Sequence, residues 1–301
     1  MNLIKPKILQ KGDTIGLLTA CSPLDDAQRQ SLDKAKEYFT KKGFKVVISK
    51  TSNGENPSDD EKVNAIHAFF KNPDINVIIA ARGGYGAIRL LNNLDYDLIR
   101  KNPKIFAGFS DVTAFQWFIY TKSGLVTFHA PMCCCDFGSN IDTTTEESFF
   151  QTVSGQTSQI KLTPAFTFNT TGKIKGILAP SNLATAASLC GREFYPNKDI
   201  ILLIEDVNEP EYKINRMVTQ ILETKDFAKH IKAIVLGKFT DENDQEAIYT
   251  EMWKEFSEKY RLPICDGAQF GHIKTKVTIP FGVDAVLDFE AQKIDFELPV
   301  I

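Results

Sequence analysis

Residues 76–120 read NVIIAARGGYGAIRLLNNLDYDLIRKNPKIFAGFSDVTAFQWFIY, and the order of apolar and glycine-bearing segments within them decides the fold class. Asn76–Ala81 is a short β-rich run, Arg82-Gly83-Gly84-Tyr85-Gly86 is a glycine loop, and a short helical pattern follows through Leu91. A second apolar run, Lys104–Phe109, leads through Ser110 into a helix from Asp111 toward Tyr120. Such alternation of strand and helix predicts a mostly parallel sheet covered by helices on both faces.

Working outward, Thr14–Thr19 reads as a strand. Asp25 or Asp26 caps a helix whose Leu32, Ala35 and Phe39 lie at helical spacing before Gly43 stops it. Phe44–Ile48 is the next strand, and Ser58 with Glu61 forms a capping box that opens a helix burying Val63, Ile66 and Phe70. After Cys135 the pattern changes, because 136–172 is rich in Thr, Ser, Asn and Gln and holds one helix near Thr145–Val153. Beyond it, strands at Lys173–Leu178, Asp199–Glu205 and Ala233–Leu236 and a hairpin at Ala285–Glu297 mix with helices near Asn182–Leu189, Tyr212–Glu223 and Gln245–Tyr260. At 301 residues the chain exceeds the usual single core. The expectation is an α/β protein of two parts: a flavodoxin- or Rossmann-like domain over 1–155, a linker over 156–170, and a mixed α/β domain with a curved or barrel-like sheet over 171–301.

Composition excludes several function classes. With 43% hydrophobic and 24% charged residues, the chain is that of an ordinary globular protein. The net charge of −3 and dispersed basic residues argue against a nucleic-acid partner. The first thirteen residues lack an apolar stretch of the signal-peptide kind, and apolar runs such as Ile200–Ile204 fall far short of the roughly 20 residues that span a bilayer, so a cytoplasmic location is expected. Six cysteines, with Cys133, Cys134 and Cys135 consecutive, suit neither a disulfide scaffold nor zinc spacing and are expected to be reduced, mostly as small buried hydrophobes.

Two stretches are placed to carry chemistry. In the 82–86 loop, glycines let the backbone approach a ligand and aim amide N–H groups at it, as a phosphate cradle or as an oxyanion hole, while a plain tight turn is the structural alternative. Gly108-Phe109-Ser110-Asp111 stands where an apolar strand meets a helix, at the ligand side of an open α/β sheet. There Ser110 is either a nucleophile or a helix N-cap. A nucleophilic serine needs a base, and the chain has four histidines. His67 and His230 lie in helical, charged contexts, and His129 at a strand end is structural or lines a pocket. His272, in the loop Phe270-Gly271-His272, is the best-placed base. Glu205, at the end of the apolar strand Ile200–Ile204, is the most strongly placed acid, with a structural ion pair as its alternative.

Gly12-Asp13-Thr14-Ile15-Gly16, Arg82–Gly86, PKIFAGFSDVT (103–113), LVTFHAPM (125–132), IEDVNEPEYKINRM (204–217) and FGHIKTKVTIPFG (270–282) together resemble the L,D-carboxypeptidase family of serine peptidases, which also includes microcin-immunity hydrolases. The resemblance spans nearly the whole chain in order. It implies a two-domain cytoplasmic hydrolase without metal or organic cofactor, with Ser110 as nucleophile, Glu205 as orienting acid, His272 as general base, and backbone N–H groups of Gly84 and Asp111 as oxyanion hole. It also implies a homodimer and a small-peptide, muropeptide substrate. A peptidyl or aminoacyl nucleotide is the second substrate class, for which Phe137, Trp117 or Trp253 would stack on a base. A non-catalytic two-lobed anion-binding protein is the reading from another class. Pro180-Ser181-Asn182-Leu183, Ala130, Asn215 and Lys276 depart from the family pattern, and none replaces Ser110, Glu205 or His272. For a substrate carboxylate, Arg82 and Lys276 are the nearest cations in sequence, with Arg216 weaker because Glu209 and Glu211 are close enough to pair with it.

Overall fold

The computed structural model describes residues 2–53, 56–170, 172–241, 243 and 245–301. Five parallel strands, β1 (Thr14–Leu18), β2 (Lys45–Ile48), β3 (Ile75–Ala80), β4 (Ile105–Gly108) and β5 (Thr127–His129), alternate with helices α1 (Asp26–Lys41), α2 (Asp59–Lys71), α3 (Ala87–Leu90), α4 (Tyr96–Lys101) and α5 (Thr113–Ser123). β1 and β4 are buried at every residue, as strands covered on both faces must be. Asp25, and not Asp26, caps α1, in a reciprocal box with Gln28; Ser58 and Glu61 do the same for α2. α5 is buried on nearly all sides and runs through the middle of the molecule.

After α6 (Thr143–Val153) come β6 (Gln159–Lys161), β7 (Thr167–Phe168), β8 (Lys173–Asn182), α7 (Leu183–Ser188), β9 (Ile200–Val207), α8 (Glu211–Glu223), α9 (Lys225–Ala228), β10 (Ile231–Thr240), α10 (Thr250–Tyr260), β11 (Ile264–Cys265), β12 (Ile279–Phe281), β13 (Asp284–Asp288) and β14 (Lys293–Phe296). Eight of these strands form a second, mixed sheet in the order β6-β14-β13-β8-β9-β10-β11-β7. The first sheet has the order β12-β5-β4-β3-β1-β2. Its β2-β1-β3-β4-β5 core is the flavodoxin-like arrangement, whose switch point lies between β1 and β3.

Three features differ from the sequence reading. The 156–170 stretch carries β6 and β7, both strands of the second sheet. β12, from the C-terminal half, pairs antiparallel with β5 and extends the first sheet. α10 starts at Thr250 and not at Gln245, because Glu246 bridges Thr240 antiparallel and the Ala247 N–H donates to Phe239 O, holding this segment extended against the end of β10. Long-range pairings of this kind leave no local periodicity to read. The halves share their apolar cores. Trp117 of α5 packs edge-on against Phe194, Phe227 and Phe281, and its Nε1–H donates to Ser181 Oγ of β8 at 2.9 Å. Among the described residues no helix is long and apolar enough to cross a membrane.

Candidate active site

Between β4 and α5 the chain turns through Ser110 with φ of 63°, a left-handed conformation uncommon for a residue with a side chain. Strain of this kind persists only where surroundings over-determine it. Here the buried Gln116 amide donates to the carbonyls of Gly108 at 2.9 Å and Phe128 at 2.7 Å, fixing the end of β4 against β5. A Cβ on Gly83 would lie 2.7 Å from Ser110 Cβ and 2.9 Å from its Oγ, so the glycine loop reaches the serine only because Gly83 has none. Asp111 Oδ2 accepts from the Ala87 N–H at 2.9 Å and ties the end of that loop to the serine turn. Ser22, after β1, clamps the loop from the other side: its N–H donates to Gly83 O at 3.3 Å, and its Oγ accepts from Tyr85 N at 3.0 Å. The loop, the serine and Ser22 thus meet at the carboxyl edge of the sheet, around its switch point.

The second sheet supplies the titratable half. Glu205, on β9, has no exposure, and its Oε2 is 2.7 Å from Nδ1 of His272. Burial would raise the Glu205 pKa, but the charge and hydrogen bond of His272, with His129 close by, outweigh it and bring it down to about 2. For His272, burial works downward, and the charge and hydrogen bond of Glu205 prevail to raise its pKa above the ordinary histidine value. Gly271 has φ of 126°, and a Cβ there would meet Glu205 Oε2 at 2.9 Å, so glycine lets the loop lay His272 on the carboxylate. Asn182, opposite Glu205 in the β8–β9 register, donates from Nδ2 to Asp206 Oδ1 at 2.9 Å and to Glu205 Oε1 at 3.3 Å. Burial, followed by the charge of Glu205, pushes Asp206 up to about 6.

Glu205 and His272 thus meet in the second half, Ser110 follows Phe109 in the first, and among the described residues no hydrogen bond joins Ser110 Oγ to His272. Their halves touch through Phe109, whose ring lies edge-on to His272 at 4.9 Å. A cleft of ≈ 330 Å³ opens beside His272, lined among others by Phe109, Cys135, Asp136, Asn140 and Lys276. Larger hollows of ≈ 730 and ≈ 700 Å³ share none of these residues, so volume alone does not mark the site.

The other candidates are engaged in different ways. Lys276 is 4% exposed, and its Nζ is paired with Asp136 Oδ1 at 2.6 Å over the Phe109 ring, so it is not a free cation. Sequence could not show this, because Asp136 reaches it from a turn 140 residues away. Arg82 is half-buried, donates to the neutral Gln28 Oε1 at 2.7 Å, and has no carboxylate partner among the described residues. Arg216 lies over the exposed Tyr212 ring, not against Glu209 or Glu211. Phe137, Trp117 and Trp253 are buried in the core, which corrects the expectation that one of them stacks on a ligand base. Their apolar area is worth more inside the core than on a cleft wall. His67 accepts from Asp95 N at 2.8 Å on the surface side of α2, and His230 lies beside Tyr195. The six cysteines are free thiols; Cys21, Cys133, Cys134 and Cys265 are buried, whereas Cys135 faces the cleft. Sequence reading gave no role to Ser22, Gln116 and Asp206, and met Asn182 only within a stretch that departs from the family pattern. The one local signal, Asn182 as an N-cap, is real but says nothing of its second role.

The model of the LD-carboxypeptidase N-terminal domain matches residues 15–130, and that of the C-terminal domain matches residues 175–287. A Bacillus subtilis protein described as "Probable murein peptide carboxypeptidase" is 30% identical over 296 residues, covering 94% of this chain and 91% of its own. The microcin C7 self-immunity protein MccF of Escherichia coli is 30% identical over 324 residues, covering 95% of this chain and 93% of its own. A solved structure of MccF with glutamyl sulfamoyl guanosine superimposes with a TM-score of 0.88 at 27% identity, over 99% of both chains. A muramoyltetrapeptide carboxypeptidase from Oxalobacter formigenes gives 0.80 at 29% identity, over 94% of this chain and 97% of that one.

Proposed function

The chain belongs to the LD-carboxypeptidase family, and from that premise we propose that it is a serine peptidase cutting the amide between an L-centre and a C-terminal D-amino acid in a muropeptide tetrapeptide. The observation that carries this reading is the 2.7 Å contact of His272 with the buried Glu205 carboxylate, and the positive φ of Ser110 at the end of β4 supports it. His272 takes the Ser110 proton as Ser110 Oγ attacks the carbonyl, and the Gly84 and Asp111 amides stabilise the oxyanion. Glu205 holds the ring and stabilises its cationic form. Collapse expels the terminal amine, which receives the proton from His272, and water activated by the same base resolves the acyl-enzyme. Arg82, without a carboxylate partner among the described residues, is our candidate for the substrate's terminal carboxylate, the charge that tells a chain end from a chain middle.

A second reading, hydrolysis of an aminoacyl or peptidyl nucleotide, is favoured by the TM-score of 0.88 with MccF. Burial of Phe137, Trp117 and Trp253 removes the stacking partners it would need from that set. Mass spectrometry of a tetrapeptide and, in parallel, an aminoacyl sulfamoyl adenylate, each with wild type and Ser110→Ala, tests both. Loss of one alanine mass with wild type alone supports the peptidase; turnover of the adenylate alone favours the second reading. A fluorophosphonate adduct on Ser110 would count against a purely binding role.

A further inference from the structure

His129 is buried beside the site and has no part in the reaction as written. It ends β5 of the first sheet, in register with Gly108 of β4 and Ile279 of β12, and is 1% exposed. Its ring is edge-on to Phe270 at 5.1 Å and tilted toward Phe109 at 5.7 Å, so two apolar walls fix its plane. Its Nε2 is buried and has no hydrogen-bond partner among the described residues. Leaving such a group unpaired costs about 1–3 kcal/mol, so its surroundings need a compensating interaction. The facing polar atom is Glu205 Oε1, at 3.9 Å, beyond a formed hydrogen bond but well within the range of a charge acting on an N–H dipole.

We infer that His129 is a positioning residue for Glu205: a neutral imidazole whose Nε2–H faces Oε1, steadies the carboxylate from the first sheet, and keeps Oε2 aimed at His272. The inference rests on the proposed role of the Glu205–His272 pair. The Nε2–H tautomer follows because a ring lone pair facing a carboxylate would be repelled. Burial outweighs the attraction of Glu205 and lowers the His129 pKa, which keeps the ring neutral and avoids a second cation beside His272. Asn182 approaches the same Oε1 at 3.3 Å, a long contact shared with Asp206. Oε1 is thus approached by one donor from each sheet, whereas Oε2 is engaged by His272.

The test compares His129→Phe and His129→Leu, which remove the donor, with His129→Gln, which retains one. In histidine-labelled protein, NMR follows the His272 titration and its downfield Nδ1–H signal without any substrate. The other charged groups facing His272 are Glu205 and Asp206 from β9 and Lys276 from its own loop, and all are unchanged in these variants. With Oε1 unsteadied, the upward shift that Glu205 imposes shrinks. His272 then titrates lower by at least about half a unit, roughly threefold in its protonation equilibrium. The Nδ1–H signal weakens, and the Gln variant restores both. An unchanged His272 titration in whichever apolar variant folds, or a Gln variant that behaves like the apolar ones, overturns the inference. Because the readout needs no substrate, a wild type that spares the tetrapeptide bears on the peptidase reading and leaves this result standing.

Discussion

On the six-stranded sheet Ser110 is held at φ of 63° mainly by glycine backbone, Gln116 and Ser22, with Asp111 the one carboxylate among its ties; on the eight-stranded sheet Glu205 and His272 are held by opposite charge in a buried setting. The first half is built mostly from backbone geometry, so small steric changes should damage it more than pH does, which reaches it only through the Asp111 tie. The second is built from proton equilibria, so removal of one charge should change both rate and pH response. The lobes can therefore be broken separately, and each break has its own signature.

The largest effect belongs to Ser110→Ala. Turnover should fall roughly 10³- to 10⁶-fold with binding much less affected, and the His272 titration, read by NMR, should stay where it was. A titration that moves with the serine would mean that the halves are electrostatically one unit. Glu205→Gln comes next, with turnover reduced on the order of 10³- to 10⁴-fold, because an amide can hold the ring in the wrong tautomer and cannot stabilise its cation. His272 should then titrate lower, since burial now acts on it unopposed by Glu205; an unaltered titration, or a wholly unaffected rate, would remove Glu205 from its role.

Gly84→Ala breaks the backbone half by shape. Its Cβ would lie 2.2 Å from Ser22 Oγ, at φ of 105°, and the rate should drop by about 10² to 10³ through the oxyanion hole with the pH profile intact. Adding Ser22→Gly should recover part of that loss; no recovery would place the strain elsewhere. Arg82→Gln is smaller. KM for a free-carboxylate substrate should rise roughly 10- to 100-fold while a carboxamide-ended analogue is nearly unaffected, the difference expected of one charge-assisted hydrogen bond. Equal effects on both substrates would move carboxylate recognition to another residue.

The gentlest probe is pH. Rate should climb as His272 loses its proton, with a midpoint above the ordinary 6.5. For stability, the raised His272 pKa contributes fully below 6.5 and is lost as pH rises through the folded value, whereas the lowered Glu205 pKa contributes above 4.5 and is lost as pH falls toward about 2. Thermal unfolding across both windows checks the signs. Glu205→Gln should flatten the acid-side slope, and an unchanged slope would assign acid sensitivity to other carboxylates.

The sequence by itself determined the family, the two α/β parts, the capped helices and the strand-to-helix corner that carries Ser110, because these follow from short-range periodicity, caps and contiguous motifs. It also ranked His272 first among the histidines through its place on a loop, and Glu205 among the acids with the help of the family resemblance. What only the tertiary structure decided is who faces whom. Lys276 is taken up by Asp136, β12 leaves the C-terminal half to pair with β5, and His129 stands 3.9 Å from a carboxylate 76 positions later in the chain. The reason is physical: these contacts join residues far apart in sequence, and a residue's charge, pairing and pKa depend on neighbours that arrive only when the two sheets pack.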